Sequence, residues 1–96
     1  MNTIPLDTRS FETELRARGC AHIAVVEWAA GRVSDEHAHA FTARGLVLDG
    51  EFTLETAAGA RRLQRGDIFE VPPGTPHVES VPASGVRILS GRIDTA

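Results

Sequence analysis

Between Thr8 and Arg18 the apolar residues Phe11 and Leu15 stand four apart, which gives a helix one narrow buried stripe. Glu12 and Glu14 come early and Arg16 and Arg18 late, an order that suits the helix dipole and forms two i,i+4 pairs. Gly19 suits the left-handed position that closes a helix. So short a helix needs a surface to lie on. From Ala21 onward the period changes. Ala21–Trp28, Ala43–Leu48, Glu51–Thr56 and Val86–Ile93 read as short strands, and Asp49-Gly50 between the middle two predicts a tight hairpin. Ala58-Gly59, Arg65-Gly66-Asp67 and Pro72-Pro73-Gly74 mark further reversals. About eight short strands with no intervening helix predict an all-β closed sandwich or barrel over residues 21–96. Residues 1–20 form an arm and a short helix laid against it.

The histidines sharpen this picture. His37 and His39 are one residue apart. On a helix such positions lie about 200° apart around the axis. On a strand they share a face, about 6.6 Å apart, and their rings can converge on one ion. His77, some forty residues on, can complete a metal-binding face from a distant segment. Glu79 follows His77 by two and points the same way on a strand.

The segments carrying these histidines are anchored by glycine and proline. The first runs from Gly31 through His37 and His39 to Gly50; the second is Gly66-Asp67-Ile68-Phe69-Glu70-Val71-Pro72-Pro73-Gly74-Thr75-Pro76-His77. Together they resemble the two motifs of the cupin superfamily, whose fold is a small double-sheet jelly-roll barrel. The resemblance implies a double-stranded β-helix with a divalent transition metal (Fe, Zn, Ni, Mn or Cu) held by His37, His39 and His77. It also implies a glutamate ligand at the position held here by Ala43, so the usual carboxylate is absent. Glu79 is the candidate replacement: a direct ligand, a partner for a ligand imidazole, or an acid or base toward substrate. With Ala43 inward, Gly45 and Val47 follow it inward, while Arg44, Leu46 and Leu48 face away. The small residues Ala43 and Gly45 predict room beside the metal, with Phe41, Phe69 and Val71 completing the lining.

Composition narrows the chemistry. At 96 residues the chain makes one domain, and a hydrophobic content of 42% with 24% charged residues is that of a soluble globular protein. A net charge of −3 argues against nucleic acid and anionic membranes as partners. All ten basic residues are arginine, which excludes lysine Schiff-base chemistry, and there is no tyrosine. The lone Cys20 makes no internal disulfide, in keeping with a cytoplasmic location. No apolar run reaches the ~20 residues of a membrane span. No Gly-x-Ser-x-Gly elbow or phosphate-cradling glycine loop is present. Three functions stand: a metal-dependent enzyme of dioxygenase or isomerase type acting on a small polar molecule, a non-catalytic ligand-binding or sensing module, and a barrel whose cavity is only packed core. A small open barrel also predicts a homodimer.

Overall fold

The computed structural model describes residues 6–94, so of the expected leading arm only Leu6 and Asp7 lie within it. Helix α1 (Thr8–Ala17) starts where the Asp7 side chain accepts from the Ser10 amide. It ends in a Schellman closure, with the Gly19 amide donating to the Arg16 carbonyl and the Cys20 amide to the Leu15 carbonyl. Gly19 takes φ 86°, the conformation that position demands. The expected i,i+4 ion pairs are replaced by longer reaches: Glu14 pairs with Arg44, and Arg18 with Glu70.

Six antiparallel strands follow: β1 (His22–Trp28), β2 (Thr42–Thr56), β3 (Gly59–Gln64), β4 (Ile68–Val71), β5 (Val78–Ser80) and β6 (Val86–Ile93). The count falls below the eight expected because Asp49-Gly50 is not a hairpin. The two-residue turns need left-handed backbone at the first central position, and Asp49 does not adopt it; only Gly50 does, at φ 74°. Asp49 instead pairs with Arg87, and β2 runs on as one strand of 15 residues. Its register slips between Val47 and Asp49, and this irregularity bends it. A Cβ on Gly50 would lie 2.1 Å from the Gly85 carbonyl oxygen, so glycine is required where the two backbones meet. The true hairpin comes later, with Thr56 paired to Gly59 across Ala57-Ala58.

The bent β2 serves two layers. Its first half pairs with β6 and β4, and β1 adds to β6, giving the layer β1-β6-β2-β4. Its second half pairs with β3 and β5. Between the layers Val47, Phe52, Leu54, Leu63, Phe69, Val71, Val81, Val86 and Ile88 form the barrel core. On the outer face of the first layer, Leu46, Leu89 and Ile93 close against Phe11, Leu15 and Cys20 below the helix. Leu15 is fully buried there, which stabilises the docked helix by about 1.5–3 kcal/mol. Among the described residues no helix is long and apolar enough to cross a membrane.

Candidate metal centre

His37 and His39 lie on the extended segment leading into β2, and His77 stands just before β5. The backbone brings them together. His37 and His77 form a two-way bridge through their amides and carbonyls (3.1 and 2.9 Å), and the Gly74 amide donates to the His39 carbonyl (2.8 Å). The second histidine segment is thereby clamped to the first. Ring centroids are 4.2 Å apart for His37–His77, 4.9 Å for His37–His39 and 5.0 Å for His39–His77. One nitrogen from each ring lies within 4.8 Å of the others, so the triad is positioned for metal binding.

Their hydrogen bonds select the nitrogens that face the centre. His37 Nδ1 lies 2.8 Å from the Asp35 carbonyl, and His77 Nδ1 lies 2.8 Å from the Thr75 carbonyl. A carbonyl only accepts, so each Nδ1 carries the proton and donates it. That leaves Nε2 as the nitrogen each ring can offer a metal. Burial, reinforced by the neighbouring His77 and His37 rings, holds His39 below the ordinary histidine range and favours its neutral form. Three neutral imidazoles suit zinc, iron, nickel or copper.

Glu79 points toward this centre from β5 and is only 8% exposed. Its Oε1 lies 3.4 Å from Arg32 Nη1 and 3.8 Å from His37 Nε2. It stands beside the triad rather than within it, since the clustered donor atoms are those of the three histidines. Arg32 already balances that carboxylate, so the fit to a metal rests on the donor set itself: three imidazoles whose nitrogens lie within 4.8 Å of one another, a set that transition metals favour.

A cavity of about 260 Å³ opens on His37 and His39. Of the expected lining residues, Phe41, Ala43 and Phe69 border it, while Gly45, Val47 and Val71 do not. Val47 and Val71 belong to the packed core. Gly45 leaves no room: a Cβ there would lie 2.4 Å from the Phe69 ring and 2.9 Å from Ile88, so the aromatic ring occupies the space a side chain would take. Arg44 faces the helix, as alternation predicts, and bridges Glu14 and Glu70, so no anion site forms around it. The Arg32 guanidinium lies 4.6 Å from the Trp28 ring, and Trp28 meets Phe52 edge-on at 5.3 Å.

Two bordering arginines, Arg32 and Arg92, were not among the expected site residues. Arg92 was readable in part, because it shares parity with Val86 and Ile88 on the last strand. Arg32 sits in a loop and carries no such signal. A larger hollow of about 390 Å³ beside Gly50 and Gly85 contains no histidine.

Residues 24–89 match the family model described as the cupin domain. Among solved structures, the chain is similar to KdgF from Halomonas sp., with a TM-score of 0.64, 27% identity, and coverage of 76% of this chain and 69% of that one. It is similar to a conserved protein of unknown function from Streptococcus pyogenes, with a TM-score of 0.69, 19% identity, and coverage of 77% and 64%. It is also similar to a structure of a DMSP lyase, with a TM-score of 0.70, 19% identity, and coverage of 76% and 38%. The chain spans only about two thirds of the length of the first two. No curated protein matches it by sequence.

Proposed function

This chain belongs to the cupin domain family, and from that premise we propose that it is a metal-dependent enzyme moving a proton on a small polar organic molecule, in the manner of an isomerase or lyase. The observation that carries this reading is the Glu79 carboxylate, nearly buried, bordering the cavity and 3.8 Å from His37 Nε2. His37, His39 and His77 hold the divalent transition metal. When bound, the metal supplies Lewis-acid polarisation of a substrate oxygen. Glu79 is the general base. Arg32 orients its carboxylate through Oε1, leaving the other oxygen to take a proton from the carbon next to the polarised group. Trp28, Phe41 and Phe69 give the cavity apolar walls and limit water. At about 260 Å³ the cavity is at the small end for ligand sites, which favours a compact substrate. The occurrence of this fold in a DMSP lyase is consistent with catalysis in such a barrel.

The test is carbon-bound hydrogen exchange. Zinc-loaded protein is incubated in D₂O with a panel of small hydroxy ketones and oxo acids and followed by NMR. The wild type exchanges at least one, and Glu79→Gln loses exchange by about 100-fold or more while binding zinc as before. Ligand binding with no exchange would identify a sensing module instead. Oxygen uptake with the iron-loaded protein would identify oxygenase chemistry.

A further inference from the structure

One cation at the cavity has no acidic partner. Arg92 lies on β6 directly across from Ala43 of β2, and both border the space in front of the histidines. Residues directly opposite on one face of an antiparallel pair have Cβ atoms about 4.5–5.5 Å apart, near enough for a carboxylate at one position to neutralise an arginine at the other. Ala43 provides none. On the other flank the register partner of Arg92 is His22, which also provides none. Among the described residues Arg92 forms no salt bridge; its guanidinium rests 4.6 Å from the Phe41 ring, and that ring stacks 4.6 Å from the His39 imidazole at an interplanar angle of 11°. The other charges in the cavity cancel, since Arg32 is paired with Glu79. A charged arginine two ring spacings from the triad is thus left facing the space beside Ala43.

We propose that Arg92 is the anchor for a carboxylate on the ligand, so that the cavity selects small organic acids. The bound carboxylate lies in the gap beside Ala43, against the guanidinium fork, and a second oxygen of the same molecule reaches toward the histidines. Guanidinium matches carboxylate geometry bidentately and remains charged at every working pH. The stacked Phe41 fixes the direction in which the fork points. The inference takes the metal-binding triad described above as its setting, but the anion contact is made by Arg92 itself. The ligand class is therefore a compact anion carrying a carboxylate and a neighbouring oxygen donor.

Trp28 is the only tryptophan and borders the same cavity, so its fluorescence reports occupancy. The experiment titrates acetate, glycolate, lactate and malonate, each beside its neutral amide, into zinc-loaded and zinc-free protein. At least one acid is expected to bind about 10-fold or more tighter than its amide, as loss of a charge-assisted pair implies. In Arg92→Gln that preference disappears while zinc affinity stays unchanged; Arg92→Lys retains part of it. Arg87→Gln, at an exposed position near the other end of the strand and outside this cavity, leaves the preference intact. Acids and amides binding alike, or an acid preference that survives in Arg92→Gln, would overturn the proposal. If zinc fails to bind but zinc-free protein still shows an Arg92-dependent acid preference, the anion site stands and the metal reading falls. If zinc binds and no preference is seen, the reverse holds.

Discussion

On the helix-covered face of the layer β1-β6-β2-β4, Arg44 is held between Glu14 at 2.6 Å and Glu70 at 3.2 Å, and Glu70 also receives Arg18 at 2.6 Å. On the opposite, cavity face Arg92 has no acid, and three imidazoles from the segments leading into β2 and β5 crowd within 5.0 Å of one another. One strand supplies both environments, because alternate residues of β2 point to opposite sides: Arg44 and Leu46 toward the helix, Ala43 and Gly45 toward the barrel. The helix face couples an apolar cluster to an ion-pair network, with Arg44 Nε alone lacking a partner. The cavity face sets the paired Arg32 and Glu79 near the imidazoles and leaves Arg92 without an acid. The helix side thus sets an ion-pair network over a small apolar cluster, whereas the barrel side carries the main core with the histidine cavity beside it. A residue's side predicts the consequence of changing it.

The contrast can be broken by stability measurements, which should fall in order. Leu15→Ala removes a fully buried side chain from beneath the helix and should cost about 2–5 kcal/mol in denaturant unfolding, freeing the helix without moving the histidines. Gly45→Ala tests the border between the barrel core and the cavity. Its Cβ would meet the Phe69 ring at 2.4 Å, so the ring or strand must shift, at about 1–3 kcal/mol and with a changed cavity wall.

Glu70→Gln should cost about 1 kcal/mol or less, because the pair is more than a third exposed on the Arg18 side. The hydrogen bond from Arg18 holds the Glu70 carboxyl below its ordinary value, aided by the charges of Arg18 and Arg44. A depressed carboxyl contributes stability above its unfolded pKa and loses it as the pH falls through the folded one. Wild type should thus lose stability in acid more steeply than Glu70→Gln. Arg92→Gln should change stability least, within about 0.5 kcal/mol, since it breaks no ion pair. A loss there as large as that of Leu15→Ala would contradict the placing of Arg92 at the cavity without an ion-pair partner.

Much of this was legible in the sequence wherever the signal was local or periodic. The Phe11–Leu15 spacing and Gly19 describe the helix because its closure is built from residues within one turn. The His37-Ala38-His39 spacing requires extended backbone and hence a shared direction. Asp49-Gly50 misled because a turn dipeptide reports only local preference. Here the strands on either side find partners in β6 and β3, and those long-range ladders hold β2 open through the bend. Gly45 misled for a related reason: a missing side chain looks like free volume until the residue that fills it, Phe69, is brought across from β4. Arg92 needed its register partner. Only its position opposite Ala43 makes it a cation facing the cavity rather than one more surface arginine.

The central claim is that one ion is held by imidazoles from two segments of the chain. Anomalous diffraction from crystals of zinc-loaded protein, collected at the zinc edge, tests it directly. A single peak about 2.0–2.1 Å from one nitrogen each of His37, His39 and His77 is the expected result, and the peak should vanish in His77→Ala. Zinc bound elsewhere, or a peak that persists without His77, would contradict the account.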